Sequence, residues 1–346
     1  DEFRPVGVMR HHGHGHAGRL LLRRSVIRQK HIHCLNDAIG PGSWCFKFQF
    51  NHVCADPDCK DANFTLNLLH TKLMYRKEVE MKEQMTHTAI ADEYIRVLEL
   101  QRREPDLAFL TDINRRHAAK FAFSSVGPLL GDELPLDVGS LYQRIVINRR
   151  GGYCFEQNAL MFAMLKELGF TVQLYLGRVI YNQDIHPPLT HRITLVDLGE
   201  HRYVIDVGFG PLGPQQPVCM SGEVSLQNFR LFRIKERLPG VFHMQTLIEG
   251  VYYSLYKFEL ARYGPADCEV GHFYSHKHPL ATFVNHLVVS RILDKEVRSL
   301  RNREFCLMTE SGEQRQLIEN SAQLRQILDD QFGVIVTEAE ARQLFD

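Results

Sequence analysis

The spacing of apolar residues changes character along the chain, and each change predicts a different kind of element. THTAIADEYIRVLELQ places Ile90, Tyr94, Val97 and Leu98 along one helical face behind a Thr cap. TDINRRHAAKFAF predicts a second helix, with Thr111 or Asp112 as cap, running into a loop punctuated by Gly127, Pro128 and Gly131. LDVGSLYQRIVI predicts a third helix. ALMFAMLKELGF predicts a fourth, stopped at Gly169, with Leu160, Met161 and Met164 facing a core. Strand signals follow: TVQLYLGRVIY, THRITLVDLG and HRYVIDVGFG are rich in β-branched and aromatic residues, and Gly199–Glu200 separates the last two as a hairpin turn. GVFHMQTLIEGVYYSLYKFEL adds two strands around Glu249–Gly250, and FVNHLVVSRIL with REFCLMTE adds another pair. SAQLRQILDDQFG and TEAEARQLF return to helix, each behind a Ser or Thr cap. Helices, then strands, then a mixed tail indicate an α+β protein and not a doubly wound one.

Residues 1–85 show no sustained period and open with HHGHGHAG. They are expected to be a poorly ordered extension, a targeting segment or sequence foreign to the fold. His31, His33, Cys34, Cys45, His52, Cys54 and Cys59 could bind zinc by their chemistry, but no second matched pair completes a ligand set, and no metal is expected. The 41 Lys and Arg balance the 41 Asp and Glu, which disfavours nucleic acid or a membrane surface as partner. No apolar run has the length of a membrane span. Cysteines scattered at long intervals suit reduced thiols and a cytoplasmic protein.

One cysteine stands apart. In RRGGYCFEQNALMFAMLKELGF, Gly151 and Gly152 let the chain turn and deliver Cys154 to the first turn of a helix. Unpaired N–H groups there favour thiolate and can receive an oxyanion. By that stretch alone, Cys154 is a core thiol, a metal ligand or a nucleophile. A nucleophile needs a base, and the base an orienting acceptor. His191 begins one predicted strand and Asp206 ends the next, so the hairpin makes them neighbours and leaves one imidazole nitrogen for Cys154.

RRGGYCFEQN, THRITLV and VIDVGFG, in that order, resemble the arylamine N-acetyltransferase family; His191 follows Cys154 by 37 residues and Asp206 follows His191 by 15. FAFSSVGPLLG, SHKHPLATFVNHLVVSR and LRNREF extend the resemblance over about residues 86 to 346. It implies a cysteine-protease-like core in three parts: a helical bundle over 86–170 carrying Cys154, a β-barrel-like domain over 171–270 carrying His191 and Asp206, and an α/β lid over 271–346. It also implies a ping-pong transfer of acetyl from acetyl-CoA through Cys154 to an arylamine, hydrazine or N-hydroxyarylamine. Phe123, Val179, Phe209 and Phe283 match positions that line the acceptor pocket, and Gly208 and Gly210 are the expected coenzyme A contacts. The chain departs from the family at Phe123-Ser124-Ser125, where Phe-Glu-Asn is usual, so Arg150 lacks its expected carboxylate. Pro211 and Pro214 stiffen the loop after DVGFG. A thiol protease, a transglutaminase-like enzyme or an amide synthase shares the same order of Cys, His and Asp.

Overall fold

The computed structural model describes residues 86–346, which lie in one compact unit. The expectations for residues 1–85, the extension and its Cys/His group included, fall outside the described residues.

The helices start where polar side chains can take the first free N–H groups. Thr86 accepts from Ala89 N at 3.2 Å and opens α1 (His87–Val97). Helix α2 (Leu107–Lys120) begins a turn earlier than its sequence suggested: Asp106 accepts from Phe109 N at 2.6 Å. Neither expected residue caps it, since the Thr111 hydroxyl donates to Leu107 O and Asp112 pairs with Arg103. The expected loop after Phe123 holds a short helix, α3 (Val126–Leu130), where Pro128 sits early enough that its missing N–H costs little. Next, α4 (Val138–Tyr142) runs into a π-helical turn, Gln143–Ile147. Helix α5 (Cys154–Glu167) ends before Gly169, whose φ of 93° only glycine adopts without cost. Leu160, Met161 and Met164 are fully buried against Tyr94, Phe109, Leu110 and Ile113.

Eight antiparallel strands follow: β2 (Thr171–Val179), β3 (His191–Leu198), β4 (His201–Ile205), β5 (Val218–Cys219), β6 (Ser225–Gln227), β7 (Arg230–Leu238), β8 (Val241–Ile248) and β9 (Val251–Glu259). Their order, β5-β4-β3-β2-β9-β8-β7-β6, brings β5 back towards β7, so the sheet curls into a nearly closed barrel around Ile193, Leu195, Phe232, Ile234 and Met244. The turns at Gly199–Glu200 and Glu249–Gly250 are the expected two-residue hairpins; the second has both residues at positive φ, which matches strand twist. Strands β5 to β7 were not anticipated. Nor was α6 (Pro265–Lys277), whose few apolar residues mark no single face.

A five-stranded sheet closes the unit: β1 (Phe123–Ser124), then β10 (Val288–Ile292), β11 (Glu296–Arg301), β12 (Glu304–Thr309) and β13 (Gly312–Leu317), in that spatial order. The strands expected to pair, β10 and β12, are separated by β11. Between α6 and this sheet lies α7 (Thr282–Asn285), and α8 (Ser321–Phe332) and α9 (Glu338–Phe345) cover one face of the sheet. Asn320, not Ser321, caps α8, whereas Thr337 and Glu340 cap α9 reciprocally as the sequence indicated. Among the described residues no helix is long and apolar enough to cross a membrane.

Candidate active site

Three chain segments meet around Cys154: the turn before α5, the β3–β4 hairpin, and the stretch Val207–Gly210. Phe123 makes a parallel bridge with Gly152, and Gly152 O accepts from Ser124 N at 3.0 Å, which fixes the glycine turn. Glu156 accepts from Tyr153 N at 3.2 Å and pairs with Arg144 at 2.8 Å, so the first turn of α5 is held from within. Burial pushes the Glu156 carboxyl up to about 7, with Arg144 opposing. One residue further on, Gln157 accepts from His117 Nε2 and donates to Ala122 O, which ties α5 to α2.

The hairpin does what its sequence implied. Its last regular pair is Thr194 with Ile205, so Asp206 leaves β4 beside the start of β3. His191 Nε2 then lies 2.7 Å from Asp206 Oδ2, with both side chains buried. A carboxylate only accepts at that distance, so Nε2 carries the proton and Nδ1 is the nitrogen left to take one. Burial favours the neutral acid, but His191, Asn158 and the Gly208 N–H together hold the Asp206 carboxyl below its usual range. Cys154, 3% exposed, donates its S–H to Thr190 O at 3.4 Å, on the residue before His191. Burial and Asp206 push this thiol up, and backbone groups of Arg192 and Phe155 pull it partly back. The structure thus sets Cys154 on the carbonyl of the residue before His191, and His191 on Asp206.

Asn158 was quoted in the motif and given no role, yet it joins all three segments. Its Nδ2 donates to Arg192 O at 2.6 Å and to Asp206 Oδ1 at 2.9 Å, and its Oδ1 accepts from Val207 N at 3.0 Å. A signal existed, because a polar residue four positions after Cys154 must share its helical face. Tyr256 was missed altogether. It packs 4.7 Å from the His191 ring and 5.4 Å from Phe209, and burial beside Asp206 keeps its phenol protonated well above the usual value. Only the register of β2 against β9 places it there.

Of the residues matched to an acceptor pocket, Phe209 lies 5.2 Å from His191, edge to face. Phe123 and Phe283 are 5.6 Å apart and pack with Tyr153 in the cluster that contains Cys154. Val179 packs on the barrel side, with Phe209 and Tyr256. Gly208 is pressed against α5: a Cβ there would lie 2.8 Å from Cys154 Cα, so its small size already has a packing reason. Gly210, at φ 89°, is open towards Ser290 and Phe123. Arg150 has a new partner, since Glu340 of α9 takes it in two bonds of 2.8 and 3.0 Å, with Asp132 at 3.7 Å. Ser124, where the resemblance leads one to expect Glu, is buried and accepts from Val126 N. No group of three or more metal-ligating side chains occurs among the described residues.

A mixed α/β fold with a nearly closed barrel sheet is that of an N-acetyltransferase, and the N-acetyltransferase family model matches residues 106–341. The arylamine N-acetyltransferase of Escherichia coli K12 is 35% identical over 237 residues, covering 67% of this chain and 83% of that protein. Among solved structures, the arylamine N-acetyltransferase of Salmonella typhimurium superposes with a TM-score of 0.71 at 29% identity, covering 76% of this chain and 99% of that one. The Mycobacterium marinum arylamine N-acetyltransferase in complex with CoA superposes at 0.70 and 27% identity, covering 73% and 97%. The chain belongs to the arylamine N-acetyltransferase family.

Proposed function

We propose that the protein transfers acetyl from acetyl-CoA to the nitrogen of an arylamine, hydrazine or N-hydroxyarylamine, in two half-reactions through an acetyl-Cys154 intermediate. The observation that carries this reading is the buried Cys154 thiol bonded to the carbonyl of Thr190, whose chain neighbour His191 has its Nε2 locked on Asp206. A thiol raised by burial is a poor nucleophile until its proton leaves, and His191 Nδ1 is the acceptor we assign. The resulting ion pair corresponds to the cysteine-protease-like core that the sequence suggested. The thiolate attacks the thioester carbonyl, the oxyanion is met by N–H groups at the start of α5, the bond to the CoA sulfur breaks, and CoA leaves with the proton from His191. The amine then attacks acetyl-Cys154, gives its proton to His191, and the Cys154 thiolate departs.

Phe123, Val179, Phe209 and Phe283 are proposed walls for a flat acceptor, and the Gly208–Gly210 turn is the proposed approach for coenzyme A. The M. marinum relative was solved in complex with CoA, which supports acetyl-CoA as donor. The three-part division at 170 and 270 is kept as a reading of the described unit. A Cys154→Ala variant should lose acetyl transfer to a panel of arylamines and hydrazines. Mass spectrometry should find an acetyl group on Cys154 of the unaltered protein exposed to acetyl-CoA alone. Retained activity in the variant would remove the mechanism; an unlabelled Cys154 would favour a protease or transglutaminase-like reaction.

A further inference from the structure

His191 and Arg192 follow one another on β3 and therefore face opposite sides of the barrel sheet. His191 looks towards Phe209 and Tyr256, whereas Arg192 pairs with Leu176 and shares its face, under α5 and α6. There Arg192 is 9% exposed, with its guanidinium carbon 5.3 Å from the centre of the Phe162 ring. Its Nε is sealed without a hydrogen-bond partner, and among the described residues no carboxylate pairs with it. A guanidinium stays charged at any ordinary pH, so burying one without an anion is costly.

Helix α6 closes that side of the sheet and brings one sulfur to it. Gly271 is pressed so close that a Cβ would lie 2.5 Å from Leu189 O and 2.6 Å from the Phe155 ring. One turn earlier, Cys268 packs with Phe155 and Leu176 in the same cluster, at 1% exposure. Burial works against the Arg192 charge and the Cys268 sulfur favours it; burial, with Asp267 and Glu269, pushes the Cys268 thiol up and Arg192 pulls it back. Neither acid completes the pair, since Asp267 accepts from Gly264 N at 2.8 Å and Glu269 is exposed. Cys306 is the contrary case, a buried thiol 3.9 Å from the Glu313 carboxylate, where an anion on sulfur would be repelled. Cys268 closes the first turn of α6 with a 3.3 Å bond from its N to Gly264 O, between two exposed neighbours. Fraying of that one turn opens the sulfur to a small reagent.

We infer that Cys268 and Arg192 form an oxidation site for hydroperoxides, in which the sulfur becomes a sulfinate that the guanidinium holds. The sulfur attacks one peroxide oxygen, an S–O bond forms as the O–O bond breaks, and the thiol proton leaves in the released water or alcohol, giving the sulfenic acid. A second hydroperoxide adds a second oxygen in the same way, and the sulfinic acid loses its proton to solvent. Each step oxidises the sulfur and reduces one hydroperoxide. The site needs neither Cys154 nor acetyl transfer.

The test treats the full chain carrying Cys154→Ala with hydrogen peroxide and follows each cysteine peptide by mass spectrometry. Cys268 should gain two oxygens about tenfold faster than Cys306, and Arg192→Met should remove most of that advantage, as expected for a lost charge-assisted bond. Arg192→Lys should restore part of it. Arg192→Met takes away an unpaired buried charge, so its urea midpoint should hold or rise. The comparison of Cys268 with Cys306 needs no arginine variant and stands if that one fails to fold. Cys268→Asp, which puts a carboxylate where the sulfinate forms, should lower the folding equilibrium constant about tenfold more in the Arg192→Met protein than beside Arg192. Oxidation of Cys268 no faster than that of Cys306, or at a rate indifferent to Arg192, would overturn the inference. So would a urea midpoint that rises with sodium chloride only when Arg192 is present, which would give the guanidinium to a dissolved anion.

Discussion

The junction of α5 with the β3–β4 hairpin and the seam between Arg150 and α9 each centre on a charged pair, and they are built in opposite ways. His191 and Asp206 are 15 residues apart, joined by one hairpin, and both side chains are essentially sealed from water at 2% and 0% exposure. Arg150 and Glu340 are 190 residues apart, and both keep some water, at 15% and 29%. The first pair is specified by a local turn and placed where a low dielectric makes it chemically consequential. The second fastens the C-terminal helix to the loop that precedes Cys154, and its worth is limited by solvent screening. On the proposed mechanism, reactivity and anchoring of the same loop fall to different pairs.

That division can be broken first at Asp206. Asp206→Asn keeps the shape but inverts the hydrogen-bond requirement at His191 Nε2, so alkylation of Cys154 by iodoacetamide and acetyl transfer should both fall about 10²- to 10⁴-fold with the fold intact. A loss below tenfold would mean the carboxylate only packs. Next in size is the pH dependence of stability, which tests how dry the junction is. Burial holds neutral His117, and His272 of α6 on the Tyr153 hydroxyl, down to about 4, so the stability each contributes is complete above about 6.5 and is lost as pH falls towards 4. Glu156, raised to about 7, works in the opposite sense, stabilising below about 4.5 and losing that contribution as pH rises through 7. Two groups against one leave a net loss of about 1.4 kcal/mol per pH unit on acidification between about 6.5 and 4.5, readable by urea denaturation. The smallest effect belongs to the seam. Glu340→Gln should cost about 1–2 kcal/mol of stability, between surface and buried pairs, and leave the pH profile of Cys154 alkylation unmoved. A displaced profile would show that the seam tunes the thiol as well as anchoring its loop.

The same contrast explains what could be read before any coordinates. Thr86, the Gly199–Glu200 turn, the stop at Gly169 and the Thr337–Glu340 cap depend on a few consecutive residues, and all appear where their chemistry places them. The expected caps Thr111 and Ser321 each lost to a nearby residue, Asp106 and Asn320, whose side chain meets the free N–H better. Strand β11 was overlooked because EVRSLR is short and charged; it is a strand because β10 and β12 both bond to it. Tyr256 and Glu340 could not be found locally, since nothing near them in the chain distinguishes them from other Tyr and Glu.

By itself, the sequence determined the helix that begins at Cys154, the hairpin that joins His191 to Asp206, and the family to which both belong. Those features follow from turn chemistry, capping and period, which act over a few residues. Tertiary structure alone decided that Asn158 bridges Arg192, Asp206 and Val207, that Tyr256 backs His191, and that Arg150, having Ser124 where a Glu is usual, takes Glu340 from the last helix. Such contacts depend on which strands and helices come to lie side by side, and no local pattern records that.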